Sequence, residues 1–155
     1  MIVRQIQPHE LDATIILFNY YRDEAIEAVP QIELEYDEDS MIATIRQYVA
    51  NHEYCWFNAF EGQRPVGFIG GYMCGVPWNN QLVVANIAFV YLLESHRTMA
   101  NFSMLMKSFE EWARSINAYQ ITGGDIGINI ERSTKLYEHF GFKPILTTVK
   151  ELNNE

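Results

Sequence analysis

The sequence has little cysteine, little positive charge and no long apolar run. Its two cysteines, Cys55 and Cys74, sit in apolar stretches without metal-ligand spacing around them. They read as reduced, buried thiols rather than as a disulfide or a nucleophile. Lys and Arg number 11 against 20 Asp and Glu, for a net charge of -9. That deficit argues against general affinity for nucleic acid or an anionic membrane, which rests on cations neutralising phosphate. It leaves room for a small phosphorylated ligand, because backbone N–H groups hold an anion without net charge. The opening residues, MIVRQIQ, lack an apolar core, so no secretory leader is expected. The longest apolar run, at 82–93, is interrupted by Asn86 and is too short to cross a bilayer. A soluble, cytoplasmic chain is the expectation. Repeats, low-complexity tracts and linkers are absent too, and 155 residues suit one domain over 1–155.

What is present is an alternation of strand and helix signals. Ile2 to Ile6 reads as a first strand. Leu11, Ile15, Phe18 and Tyr21 follow Pro8 at helical spacing, and Val29-Pro30 ends that helix. Ser40 ahead of Ile42, Ile45 and Val49 predicts a second helix to about Asn51. Two strands, Tyr54 to Phe60 and Val66 to Met73, flank a turn at Glu61-Gly62-Gln63. A loop with Gly75, Pro77 and Asn79-Asn80 is expected next, then the long strand at 82–93. Phe102, Leu105, Met106, Phe109, Trp112, Ala113 and Ile116 form the apolar stripe of a third helix. A strand at about 119–128, a helix near 131–140 ended by Gly141, and an extended stretch at about 142–152 complete the order. Strand, helix and strand over 82–128 predict a parallel pair. The predicted fold is α/β, a mixed and mostly antiparallel sheet with helices on both faces.

The physical candidate for a site is the turn from the long strand into the third helix. The first N–H groups of a helix have no internal partners, and the helix dipole is positive there. The amides from Arg97 to Phe102 are therefore expected to face an anion. The acidic stretch from Glu33 to Asp39 reads either as a solvated loop or as a lure for a cationic ligand. Trp78, in the Pro/Asn loop, is the aromatic residue that core packing explains least.

Three segments carry a resemblance. Val3-Arg4-Gln5-Ile6, then Pro8-His9-Glu10-Leu11-Asp12, opens the chain. Glu94-Ser95-His96-Arg97-Thr98-Met99-Ala100-Asn101-Phe102 leads from strand into helix. Leu136-Tyr137-Glu138-His139-Phe140-Gly141-Phe142 closes the last helix. In this order they resemble the GNAT superfamily of N-acetyltransferases: its first strand, its Arg/Gln-x-x-Gly-x-Gly/Ala pyrophosphate loop and its Leu-Tyr-x-x-x-Gly-Phe helix ending. The resemblance implies acetyl-CoA as cofactor, held by Leu92, Arg97, Thr98, Met99, Ala100, Asn101 and Phe102. It implies Tyr137 as the group that protonates the departing thiolate, and direct attack by a primary amine of a small molecule or protein. Glu33, Glu35 and Trp78 would border the acceptor. No metal is implied.

The pattern also departs from the family. Ala100 and Phe102 stand at its small positions, and Asn86 stands where a glutamate base is common. His96, Glu33 and Glu35 are the alternative bases, and loss of a proton to water is another route. About one strand's worth of residues follows Phe142, where the family has two strands. Such a shortened end is expected to expose a sheet edge that a second copy would cover, giving a homodimer. The rival expectation is a GNAT-like fold that has lost catalysis and serves as a binding or structural module.

Overall fold

A computed structural model describes residues 1–30, 33, 36–124 and 130–145. Pro8–Glu10 forms a short 3-10 turn that feeds helix α1, Leu11–Ala28. The Gln7 amide donates to the Glu10 carboxylate at 2.8 Å, which satisfies one of the donors left over at the start of that turn. Helix α1 buries Thr14, Leu17, Phe18 and Ala25. Helix α2 runs Glu38–Ala50 and is capped by Asp37, whose side chain accepts from the Ser40 amide at 2.7 Å. The sequence suggested Ser40 near that start. Asp37 precedes it by one turn and reaches the same amide, so the helix begins earlier.

Among the described residues the sheet has five strands in the order β1-β2-β3-β4-β5, with β1 Ile2–Gln5, β2 Tyr54–Glu61, β3 Arg64–Val76, β4 Asn79–Leu92 and β5 Gln120–Thr122. The first three pairings are antiparallel, and β4 with β5 is parallel. The loop expected between β3 and β4 is instead a tight hairpin. Val76 pairs with Asn79, so Gly75, Asn79 and Asn80 lie in strands and only Pro77-Trp78 turns the chain. Cross-strand pairing overrides the turn preferences of those residues there.

Helix α3, Met99–Ser115, and helix α4, Ile130–His139, follow β4 and β5. Gly141 ends α4 with a φ of +82°, the left-handed conformation glycine adopts without a Cβ penalty. The strand expected at 119–128 is seen at Gln120–Thr122, and 125–129 lie outside the described residues. The final stretch, with the shortened end and the edge expected for a second copy, falls largely in 146–155, also outside them.

The two faces of the sheet differ chemically. Under α1 and α2 lies an aromatic cluster: Phe18, Tyr48, Trp56, Phe68 and Tyr91, joined by Tyr21 and Phe89. Under α3 the packing is mostly aliphatic, with Val66, Ile69, Ile87, Leu105 and Met106 around Phe109. Close approach is made possible by β3. A Cβ on Gly71 would lie 2.3 Å from the Asn86 carbonyl oxygen and 2.5 Å from the Phe109 ring, and one on Gly67 would lie 2.7 Å from the Tyr91 carbonyl oxygen. No side chain fits at either position. Cys55 is buried as expected, and burial pushes its thiol well above the usual range. Cys74, expected to be buried, is exposed on the projecting end of β3.

At the other end of the sheet, Arg4 donates to the Glu10 carboxylate through both terminal nitrogens, at 2.8 and 2.5 Å. The guanidinium holds the Glu10 carboxyl at about 2, against an ordinary 4.5 and in spite of partial burial. A carboxylate with a lowered folded pKa stabilises the fold above its ordinary value, and that stability drains away as pH falls towards 2. Glu10→Gln should therefore flatten the urea midpoint between pH 4.5 and 2. An unchanged acid limb in the variant would remove this pair as a source of acid sensitivity.

Candidate functional site

Strands β4 and β5 part company. Their pairing covers Val84↔Gln120, Ala85↔Ile121 and Asn86↔Thr122 and then stops. At the last paired rung the Thr122 hydroxyl donates to Asn86 Oδ1 at 2.7 Å. Beyond it β4 continues for six residues, to Leu92, with β3 on one side. Opposite Gly70 and Gly71 the register shifts by one residue, leaving Ala88 as a bulge, which bends the strand at the opening. Leu93 donates to the Val66 carbonyl at 2.9 Å. By the alternation of an antiparallel ladder, the N–H and C=O groups of Leu92 and Val90 point away from β3, into the gap.

A cavity of about 470 Å³ occupies this gap. Its walls come from α1 (Tyr21, Glu24), from the outer half of β4, from the start of α3 (Thr98, Met99, Phe102) and from α4 (Arg132, Lys135, Tyr137). Among its described residues, Arg97, Arg132 and Lys135 are cationic and Glu24 is the one carboxylate. Lys135, at the exposed rim, donates to Glu131 Oε1 at 2.7 Å, so cations outnumber carboxylates on the wall while Arg97 and Lys135 are each ion-paired.

The turn into α3 offers fewer donors than its sequence suggests. The Arg97 amide donates to Glu94 O at 3.2 Å, Thr98 to His96 O at 2.8 Å, and Phe102 to Thr98 O at 3.0 Å. The Asn101 amide is capped by Thr98 Oγ1 at 3.2 Å, and the Asn101 side chain donates to His96 O at 2.9 Å. The amides of Met99 and Ala100 remain, at the first two positions of the helix. They are the ones an N-terminus leaves for an outside acceptor.

Phe102 is only 7% exposed. Its ring joins the core beneath α3, 5.4 Å from Phe140 and 6.4 Å from Tyr137, edge to face with the latter. The bulk that threatened to crowd the anion is turned inward. Tyr137 lines the cavity with its hydroxyl oxygen buried. Its ring lies 5.1 Å from Phe142 and against Gly123, where a Cβ would sit 3.3 Å from the hydroxyl.

The Arg97 side chain is committed elsewhere. Its Nε donates to Leu92 O at 2.8 Å and its Nη2 to Glu24 Oε2 at 2.5 Å. Tyr91 donates its hydroxyl to Glu24 Oε1 at 2.6 Å. Burial, reinforced by Glu24, pushes the Tyr91 phenol far above its ordinary range, so it stays a proton donor to that carboxylate.

Of the remaining sequence candidates, none that the structure describes lines the cavity. Glu33 is exposed and its amide donates to Pro30 O at 3.2 Å; Glu35 is outside the described residues. Trp78 is 85% exposed at the hairpin tip, on the order of 25 Å along β4 from the cavity at strand spacing. His96 sits outside the cavity wall, 3.4 Å from Glu61. Sequence reasoning missed Glu24, Tyr91, Arg132 and Lys135. The last two lie on one side of α4 with Leu136, at i, i+3 and i+4, a signal that spacing alone could have supplied. Glu24 is 67 residues from Tyr91, and no local pattern links them. Among the described residues no cluster of three or more metal-ligating side chains occurs, and no helix is long and apolar enough to cross a membrane.

Comparison with known proteins gives this geometry a family. Residues 16–142 match the sequence model of the acetyltransferase (GNAT) family. No curated protein matches the chain in sequence. Among solved structures, the aminoglycoside 6'-N-acetyltransferase AAC(6')-IG of Acinetobacter haemolyticus aligns over 100% of this chain and 99% of its own, at 16% identity and a TM-score of 0.75. AAC(6')-Iy, in complex with the bisubstrate analogue CoA-S-monomethyl-acetylneamine, aligns over 99% and 97% at 15% identity and 0.73. A predicted acetyltransferase of Clostridium acetobutylicum with acetyl-CoA aligns over 98% and 95% at 15% identity and 0.76. At these identities the neighbours establish the shared fold, and the sequence model establishes the kinship: this chain belongs to the GNAT family of acetyltransferases.

Proposed function

We propose that the chain transfers an acetyl group from acetyl-CoA to an amine by direct attack. The observation that carries this reading is the parting of β4 and β5 after Asn86 and Thr122, continuous with the open amides at the start of α3. The residues present suit the cofactor: Phe102 is folded into the core, Met99 and Ala100 leave their amides open, and cations outnumber carboxylates on the cavity wall. Two of the structural neighbours were solved with acetyl-CoA or a CoA-based analogue, which supports the same reading.

When bound, acetyl-CoA supplies an acetyl thioester that is activated towards amines. The Met99 and Ala100 amides, with the dipole of α3 behind them, hold the diphosphate, and Arg132 and Lys135 add positive charge nearby. The inward-facing amides of Val90 and Leu92 hold and polarise carbonyl oxygen along the strand. Tyr137 keeps a phenolic proton at the cavity wall and gives it to the departing sulfur. Asn86 is no base, and Glu24 is already bonded to Arg97 and Tyr91. No other carboxylate or histidine lines the cavity among the described residues, which favours loss of the acceptor's proton to water. The neighbours that act on aminoglycosides, together with the acidic segment around Glu33, favour a cationic amine as the acceptor class.

Thermal unfolding tests the cofactor directly. Acetyl-CoA at about 100 times its Kd should stabilise the fold by about 2.7 kcal/mol, a rise of roughly 5–10 °C for a chain of this size. An unchanged midpoint at millimolar acetyl-CoA would leave the non-catalytic binding module as the better reading.

A further inference from the structure

We propose that Glu24 is a positioning residue for the cofactor loop, and that Arg97 acts through it rather than by touching the diphosphate; the inference rests on the acetyl-CoA reading above. Four groups close a ring across the cavity wall. Glu24 Oε2 accepts from Arg97 Nη2 at 2.5 Å and Oε1 from the Tyr91 hydroxyl at 2.6 Å. Arg97 Nε donates to Leu92 O at 2.8 Å, and its guanidinium carbon lies 5.4 Å from the centre of the Tyr91 ring. The ring ties helix α1 to the end of β4 and to the loop that begins α3, segments 73 residues apart in the chain.

Each member has a mechanical consequence. Two of the three guanidinium nitrogens of Arg97 are occupied, one of them by the inward-facing carbonyl of Leu92. Arg97 is two residues from Met99, so fixing its side chain fixes where the Met99 and Ala100 amides point. A planar guanidinium with donors at set angles is suited to such a task, and a lysine is not. Glu24 also balances the Arg97 charge. The cofactor loop thus takes its orientation from α1, the helix that covers the aromatic face and lines the cavity with Tyr21 and Glu24.

The test is calorimetric titration of CoA itself, which needs no turnover. Glu24→Gln and Arg97→Gln should each weaken CoA binding about fivefold to tenfold, the size expected of a partly exposed ion pair held in a network. The double variant should bind no more weakly than either single variant, because the pair acts as one unit. Tyr91→Phe, which removes one bond and keeps the ring, should shift affinity the same way by about twofold. The salt dependence of CoA binding should be the same in the double variant as in wild type, since the pair is removed as a neutral unit and no phosphate contact is lost.

Two results would overturn the assignment. One is CoA binding in Glu24→Gln as tight as or tighter than wild type, as expected if a released Arg97 takes the diphosphate. The other is a flattened salt dependence in the double variant. A Glu24→Gln protein that melts at a lower temperature yet keeps wild-type affinity belongs with the first. Wild-type protein that fails to bind CoA at all would instead remove the acetyl-CoA reading on which the proposal stands.

Discussion

Tyr137→Phe is expected to lower acetyl-transfer turnover by about 10²–10⁴-fold, the range of a lost general acid, while acetyl-CoA affinity stays within about twofold. The substitution removes one oxygen and leaves the ring in the place that Phe102, Phe142 and Gly123 give it, so packing is preserved. A phenol with an ordinary pKa of about 10 is a weak acid in water, yet it is well matched to a thiolate generated beside it. Gly123→Ala supplies an independent arm. The added methyl would meet the Tyr137 ring at 3.2 Å and its hydroxyl at 3.3 Å, so the hydroxyl must move by tenths of an ångström. Turnover should fall by about tenfold, less than for the outright deletion, because small misplacements of a reacting group are costly. Stopped-flow or steady-state kinetics with any amine the protein accepts would decide it. Turnover in Tyr137→Phe within a factor of two of wild type would take the tyrosine out of the chemistry.

The largest effect on stability should come from Trp56→Ala, at about 3–5 kcal/mol, a substantial share of the 5–15 kcal/mol typical of a native fold. Trp56 has no exposed surface and packs among Phe18, Tyr48, Phe68 and Phe89, with ring centroids between 5.0 and 6.3 Å away. It lies over Gly70, where a Cβ would approach the indole to 2.7 Å. Its role is also polar. The indole N–H donates to Asn58 Oδ1 at 3.0 Å, Asn58 Nδ2 donates to Thr14 Oγ1 at 2.8 Å, and Thr14 donates to Glu10 O at 2.9 Å. Asn58 and Thr14 have no solvent exposure, so cutting the chain at Trp56 strands a buried acceptor. Trp56→Phe keeps much of the ring and isolates that polar loss, at about 1–3 kcal/mol. Urea or guanidinium unfolding of both variants separates the two parts. A cost below about 1 kcal/mol for Trp56→Ala would mean that the aromatic cluster repacks around the hole.

Residues whose partners lie close in sequence were the legible ones. Of the α1 positions read at helical spacing, Phe18 is buried and Leu11, Ile15 and Tyr21 pack partly buried against the same cluster, while Phe102, Leu105, Met106 and Phe109 fall on one side of α3; their 3.6-residue spacing announces the packed face. The strand that runs into Met99 and Ala100 was legible for the same local reason, and the helix start it predicts is there. Gly75, Asn79 and Asn80 misled because their turn preferences are real, and only the pairing of β3 with β4 cancels them. Trp78 drew notice as an aromatic residue without a core role, and it has none: it caps an exposed hairpin. The neutralisation of Arg97 was beyond reach, because its partner is one glutamate among several on a helix far back in the chain. Local periodicity carries the architecture, whereas long-range side-chain pairing decides which charges in the cavity are spoken for.

The bare stretch of β3 has a bearing on how this protein can change. Any residue larger than glycine at 67 or 71 would strike a backbone oxygen of β4, that of Tyr91 or of Asn86. Asn86 is the rung at which the sheet opens, and Tyr91 lies on the wall beyond it. A mutation that thickens the middle of the molecule therefore also resizes its ligand slot. Changes in the shape of this cavity are channelled towards the helices and loops around the rim, because the strand behind it offers no small step.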